Sequence, residues 1–125
     1  MSDDVTAMSL VEVAAAIRGG ELTSVAVTEA CIAAAEAAQP RLNCFIDIEA
    51  EAALQCAAER DVDLAAGKAP GPLHGVPLAH KDLFHRAGIP ATFGSAICRD
   101  HVPTETSTLM RRLEAAGAAT VGRLN

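Results

Sequence analysis

Residues Pro72–Ser95 read PLHGVPLAHKDLFHRAGIPATFGS. Inside this stretch a short apolar run, Val76-Pro77-Leu78-Ala79, leads directly into His80-Lys81-Asp82. Glycines at 71, 75, 88 and 94 and prolines at 70, 72, 77 and 90 punctuate it on both sides. A run of about four to eight apolar residues bounded in this way reads as a buried strand. Lys81 then stands at a strand end, where the chain leaves the sheet. Lysine is rarely fully buried without a partner. Burial disfavours the ammonium and pushes the side chain towards the neutral amine, a usable base near neutral pH. The same pattern also fits an exposed lysine just past a strand, screened by Asp82. Spacing alone does not choose between them.

Upstream, Ser9-Leu10-Val11-Glu12 has the form of a capping box, a serine N-cap answered by a glutamate three residues on. Leu10, Val13, Ala14 and Ile17 follow at helical spacing, and Gly19-Gly20 stops the helix. Thr23 or Ser24 caps a second helix with the stripe Val27, Ala30, Cys31, Ala34 and Ala38, and Pro40 is expected to end it. Leu42–Ile48 reads as a short strand. A third helix runs from Asp47 or Glu49 to about Ala66, with Gly67 behind it as a cap. Its expected buried stripe is Ala50, Ala53, Leu54, Ala57, Ala58 and Leu64, with Glu59, Arg60, Asp61 and Asp63 on a solvated face. Met1–Ala7 reads as a loose tail.

Downstream, Leu83–Pro103 has no period, and its length and glycine content suit a loop that wraps a site. Thr106 or Ser107 caps a fourth helix carrying Leu109, Met110, Leu113 and Ala116. Gly117 ends it, and Ala118–Val121 resumes a strand. Strand, loop, helix and strand form a βαβ-like unit with parallel neighbours. The chain therefore divides into a helical region with one short strand, 1–67, and the start of an α/β core, 68–125.

The totals narrow the function. The 125 residues carry a formal net charge of −6, and only 2% are aromatic. Clustered Lys and Arg for phosphate binding and ring platforms for base stacking are both lacking, which argues against direct nucleic-acid binding. The acidic start Met1-Ser2-Asp3-Asp4 has no apolar core and does not read as a signal peptide. No stretch reaches the ~18 apolar residues of a membrane span. Cys31, Cys44, Cys56 and Cys98 form no C-x-x-C pair, so free thiols and a cytoplasmic protein are expected. His74, His80, Asp82 and His85 lie close in sequence, but their spacing matches no helical metal motif, so no metal site is expected.

Two segments carry a family resemblance. Gly75-Val76-Pro77-Leu78-Ala79-His80-Lys81-Asp82 and Gly88-Ile89-Pro90-Ala91-Thr92-Phe93-Gly94-Ser95 resemble the G-[VI]-P-[LIV]-x-x-K-D and G-x-[PA]-x-T-x-G-S blocks of the amidase signature family. Ser24–Ile46 is similar to that family's N-terminal helix and strand, and Thr106–Asn125 to its next helix and strand. His80 stands where many relatives carry an apolar residue.

The resemblance implies an α/β fold. A helical N-terminal layer leads into the first strands of an amidase-signature mixed β-sheet, which is left incomplete. It implies hydrolysis of a carboxylic amide, a C–N bond other than a peptide bond, through a serine nucleophile, a second serine on a cis peptide bond, and a lysine base. Lys81 matches the lysine. Relatives carry both serines in a later Gly/Ser-rich stretch. Gly122-Arg123-Leu124-Asn125 is similar to the G-[KR]-x-N segment that precedes that stretch, so the sequence reads as an N-terminal fragment, inactive alone. Ser95 and Ser107 match a loop serine and a helix cap. No cofactor is implied. The implied partner is a small-molecule amide, with a homodimer or partner subunits left open. The glutaminase component of a glutamine-dependent tRNA amidotransferase, its A subunit, shares the lysine segment and stays as an alternative, as does a non-catalytic interaction module.

Overall fold

The computed structural model describes residues 4–125. Four helices and three strands follow in the order α1 (Leu10–Gly19), α2 (Ser24–Leu42), β1 (Phe45–Ile48), α3 (Ala50–Ala65), β2 (Pro77–Lys81), α4 (Thr108–Ala115) and β3 (Ala119–Leu124). This is the mixed α/β architecture expected. The expected loose tail is partly ordered: Val5–Ala7 form a 3-10 turn capped by Asp4, and Val5 and Met8 pack on the core. Residues 1–3 of that tail lie outside the described residues.

Local chemistry sets the helix starts. Ser9 and Glu12 close both halves of the capping box on α1. Thr23 caps α2 and Ser107 caps α4, each through its side-chain oxygen. Gly20, in the left-handed conformation at φ 75°, ends α1. Pro40 does not end α2. The helix runs on to Leu42 and stops at Asn43, whose φ of 46° is left-handed. A proline this close to the terminus removes only one ladder donor, which the last turn tolerates.

The buried face of α2 is also rotated from the expected one. Ser24, Val27, Thr28, Ile32 and Ala35 point inward, whereas Ala34 is exposed. Ser24 can be buried because its hydroxyl donates to the Gly75 carbonyl at 2.7 Å. Gly75 has a φ of 72°, and a Cβ there would lie 2.6 Å from Ser24 Oγ. Only glycine allows both the turn into β2 and the contact with α2. Asp61 is not simply solvated: its carboxylate accepts from the free Ser24 and Val25 N–H groups at the start of α2, at 2.7 and 3.1 Å. On α3, Ala53 and Ala57 are buried, as expected. On α4 only Met110 is fully buried, and Leu109 is exposed.

The sheet has the order β1-β3-β2. β2 runs parallel to β3, as the βαβ reading requires, and β1 runs antiparallel to β3. β3 continues to Leu124, beyond the Val121 expected. Its register places Ala79 opposite Gly122, His80 opposite Arg123 and Lys81 opposite Leu124. A first apolar cluster, Val13, Ile17, Val27 and Val76, joins α1 and α2 to the entry of β2. A second, Ile32, Ala53 and Val121, fixes α2 and α3 on one face of the sheet. The segment 83–103 is tied back to the ends of β2 and β3.

Candidate active site

β2 and β3 end side by side, and Lys81 is the last residue of β2. In open α/β sheets, ligands bind outside the carboxyl ends of parallel strands. Side chains alternate along a strand. His80 and Asp82 are accordingly buried, and Lys81 between them is exposed. Of the two readings of the lysine, these residues give the exposed one. Asp82 does not screen it, because its carboxylate is fully engaged elsewhere.

That carboxylate is the centre of a buried network. It accepts the Thr92 N–H at 3.1 and 3.2 Å, a short bond from the Thr92 hydroxyl, and Arg123 Nη1 at 3.0 Å. Its side chain is 3% exposed, and that of Arg123 is 10%. Arg123 Nη1 also donates to the Pro90 carbonyl. The Phe93 N–H donates to the Asp82 carbonyl at 3.1 Å, and the Asp82 N–H to the Leu124 carbonyl at 2.9 Å. A second ion pair, Arg86 with Glu49 at 2.7 and 2.9 Å, ties the loop to the start of α3. Neither pair was expected from the sequence. Asp82, Thr92, Pro90 and Arg123 do all stand within family-like segments, and that shared membership was the available signal.

His80 Nδ1 lies 3.1 Å from the Lys81 carbonyl, and a carbonyl only accepts, so Nδ1 carries the proton of that bond. Nε2 is buried without a partner among the described residues. Burial holds this imidazole below its ordinary value. The bond to Lys81 opposes the shift in part, the charges of Arg86 and Arg123 reinforce it, and Glu49 counters them. The unfolded chain, with its ordinary imidazole near 6.5, then binds more protons than the folded one as acid is added. Stability is full above that value and is lost as pH falls through it towards the lower folded value. The urea midpoint is expected to drop between about pH 7 and 5.5, and His80→Leu to flatten that part of the profile. An identical slope in the variant would refute the assignment.

His74 Nε2 donates to the Arg60 carbonyl at 2.8 Å. His85 lies against the rings of Phe93 and His101, at 5.5 and 5.4 Å between centroids. No three His, Cys, Asp or Glu side chains among the described residues converge as a metal site. Ser107 is a helix cap, and Ser95 begins a 3-10 turn at Ala96–Cys98. The four cysteines are free thiols.

The mixed α/β sheet and the helices on it set the fold class, and likeness to known proteins gives the family. The family model described as Amidase matches residues 26–125, and the chain belongs to that family. It is 41% identical over 122 residues to the A subunit of the glutamyl-tRNA(Gln) amidotransferase of Streptomyces coelicolor, covering 98% of this chain and 24% of that protein. It is 39% identical to "Putative amidase AmiD" of Mycobacterium bovis, covering 98% and 26%. Among solved structures, the native peptide amidase of Stenotrophomonas maltophilia superposes with a TM-score of 0.85 at 34% identity, over 95% of this chain and 25% of that one. A fatty acid amide hydrolase superposes with a TM-score of 0.89 at 28% identity, over 100% and 23%. The chain thus spans about a quarter of the length of the relatives it matches.

Proposed function

We propose that these residues are the lysine-bearing part of an enzyme that hydrolyses a small carboxylic amide, with Lys81 as its general base. The observation that carries the reading is the position of Lys81: the end of parallel β2, level with the end of β3, at the edge where ligands bind such sheets. A serine hydroxyl is a weak nucleophile and must lose its proton as it attacks the amide carbon. A neutral lysine takes that proton through a bridging hydroxyl and returns one to the departing amine. Water then releases the acid from the acyl-enzyme. The carbonyl oxygen, negative on attack, needs backbone N–H donors aimed at it. In this reading the two serines and those donors come from a Gly/Ser-rich segment, and no such run follows Lys81 in this sequence. The segment would also bury Lys81, which supplies the desolvation that its neutral form requires.

The 125 residues are therefore expected to leave simple aryl and alkyl amides intact in a product assay. Turnover by this chain that Lys81→Ala abolishes would refute that expectation. Reading the gene in frame beyond codon 125 tests the other half: the proposal requires a Gly/Ser-rich segment there.

A second reading has an observation of its own. Several relatives at 40–43% identity carry the tRNA amidotransferase name. In that reading the same lysine serves release of ammonia from glutamine, and the chain works with partner subunits. Neighbouring genes for such subunits, and glutamine as the preferred amide, separate it from the stand-alone hydrolase. No described helix is long and apolar enough to cross a membrane.

A further inference from the structure

We infer that Asp82 is a positioning residue for Lys81, acting through the loop that leaves it. The inference rests on the proposed role of Lys81 and goes one step further. Asp82 follows the lysine directly, yet its carboxylate is turned away and saturated by Thr92 and Arg123. It has no free capacity to take a proton from Lys81 or to pair with it. What it does is close a ring of chain. Residues 83–89 leave the strand end, and Pro90 and Thr92 are brought back to it, one by Arg123 and the other by Asp82.

The main chain around Lys81 is fixed from both directions. Its carbonyl accepts the Leu83 N–H at 2.7 Å and the Phe84 N–H at 3.2 Å, besides the contact with His80 Nδ1. The next residue, Asp82, is held through its N–H by the Leu124 carbonyl and through its carbonyl by the Phe93 N–H. Phe93 pays for the closure with a left-handed φ of 55°, uncommon for a residue that is not glycine. Such backbone persists only where its surroundings over-determine it. Here the surroundings are the Asp82 carbonyl on Phe93 itself and the Thr92 hydroxyl, which accepts the Gly94 N–H at 3.3 Å. The clamp holds the root of an exposed lysine whose tip must meet a reacting hydroxyl, and a misplacement of about 1 Å can cost roughly 100-fold in rate.

The test uses Thr92→Val, which keeps the side-chain shape and removes only the hydroxyl, beside Thr92→Ser, which restores it, and Asp82→Asn. In the polypeptide that the gene encodes, ¹⁵N order parameters for Lys81 to Phe93 are expected to fall from about 0.85 to below about 0.6 in Thr92→Val and Asp82→Asn. Those of α2 and α3, and the whole of Thr92→Ser, should stay at the native level. Turnover of an aryl amide should lose about 10- to 100-fold in kcat with KM held. In a Lys81→Ala background rescued by a dissolved alkylamine, Thr92→Val should cause no further loss, because a free amine needs no clamp. Native order parameters in both Thr92→Val and Asp82→Asn would overturn the inference. So would a further loss in the amine-rescued background, which would mark the clamp as structural only. Failure of the Lys81 reading shows separately, as turnover that survives Lys81→Ala.

Discussion

Arg123→Met is expected to destabilise the fold by about 3–5 kcal/mol, the cost of leaving one member of a buried pair uncompensated. The magnitude follows from burial. Side chains 3% and 10% exposed cannot hand the orphaned Asp82 carboxylate to water. An exposed pair would give only about 0–1 kcal/mol. The second variant, Asp82→Asn with Arg123→Met, should recover much of the loss, since no charge is then left unpaired. Urea unfolding of the four corners of this cycle measures both numbers. A loss for Arg123→Met below about 1 kcal/mol would mean that the network is far wetter than its geometry indicates.

Lys81→Ala is expected to lower kcat for amide hydrolysis by about 100- to 10,000-fold in the enzyme that unites this lysine with the serines of the proposal. KM should change little, because the proposed role is proton transfer in the transition state. Lys81→Arg should not restore the rate, since a guanidinium stays charged and cannot act as a base. Steady-state kinetics on an aryl amide decide the matter, and a variant within about threefold of the parent would remove Lys81 from the chemistry. The lysine is exposed in these residues. Its activation is therefore assigned to whatever polypeptide covers the sheet edge, and none of the groups on β2 is asked to supply it.

The parts legible in the sequence were those decided by near neighbours. The Ser9–Glu12 box, the caps at Thr23 and Ser107 and the glycine stop at Gly20 act within a few residues and appeared where expected. The parallel β2/β3 pair followed from the strand–loop–helix–strand order, and the position of Lys81 at a strand end from one apolar run and its punctuation. What escaped was decided at long range. Asp61 was read as a solvated charge, yet it meets Ser24 from 37 positions away. Asp82 and Arg123 lie 41 apart and Arg86 and Glu49 37 apart, beyond the reach of any periodicity. The inner face of α2 was misread because Ser24 and Thr28 are polar; Ser24 reaches a carbonyl 51 residues on, and local pattern cannot supply that acceptor.

The order of the strands bears on biosynthesis. Of the three described strands, the middle one comes last in sequence: Phe45, whose N–H and carbonyl bond the Gln39 side chain, waits for Leu124 before it has a strand neighbour, and Pro77 waits for Ala119. At about 5–20 residues per second on the ribosome, the first of these intervals lasts roughly 4–16 s. During that time the nascent helices can fold on one another, but two segments with strand-forming backbone lack a strand neighbour, which leaves them open to pairing with another chain. Slowing elongation before codon 119 would lengthen that interval.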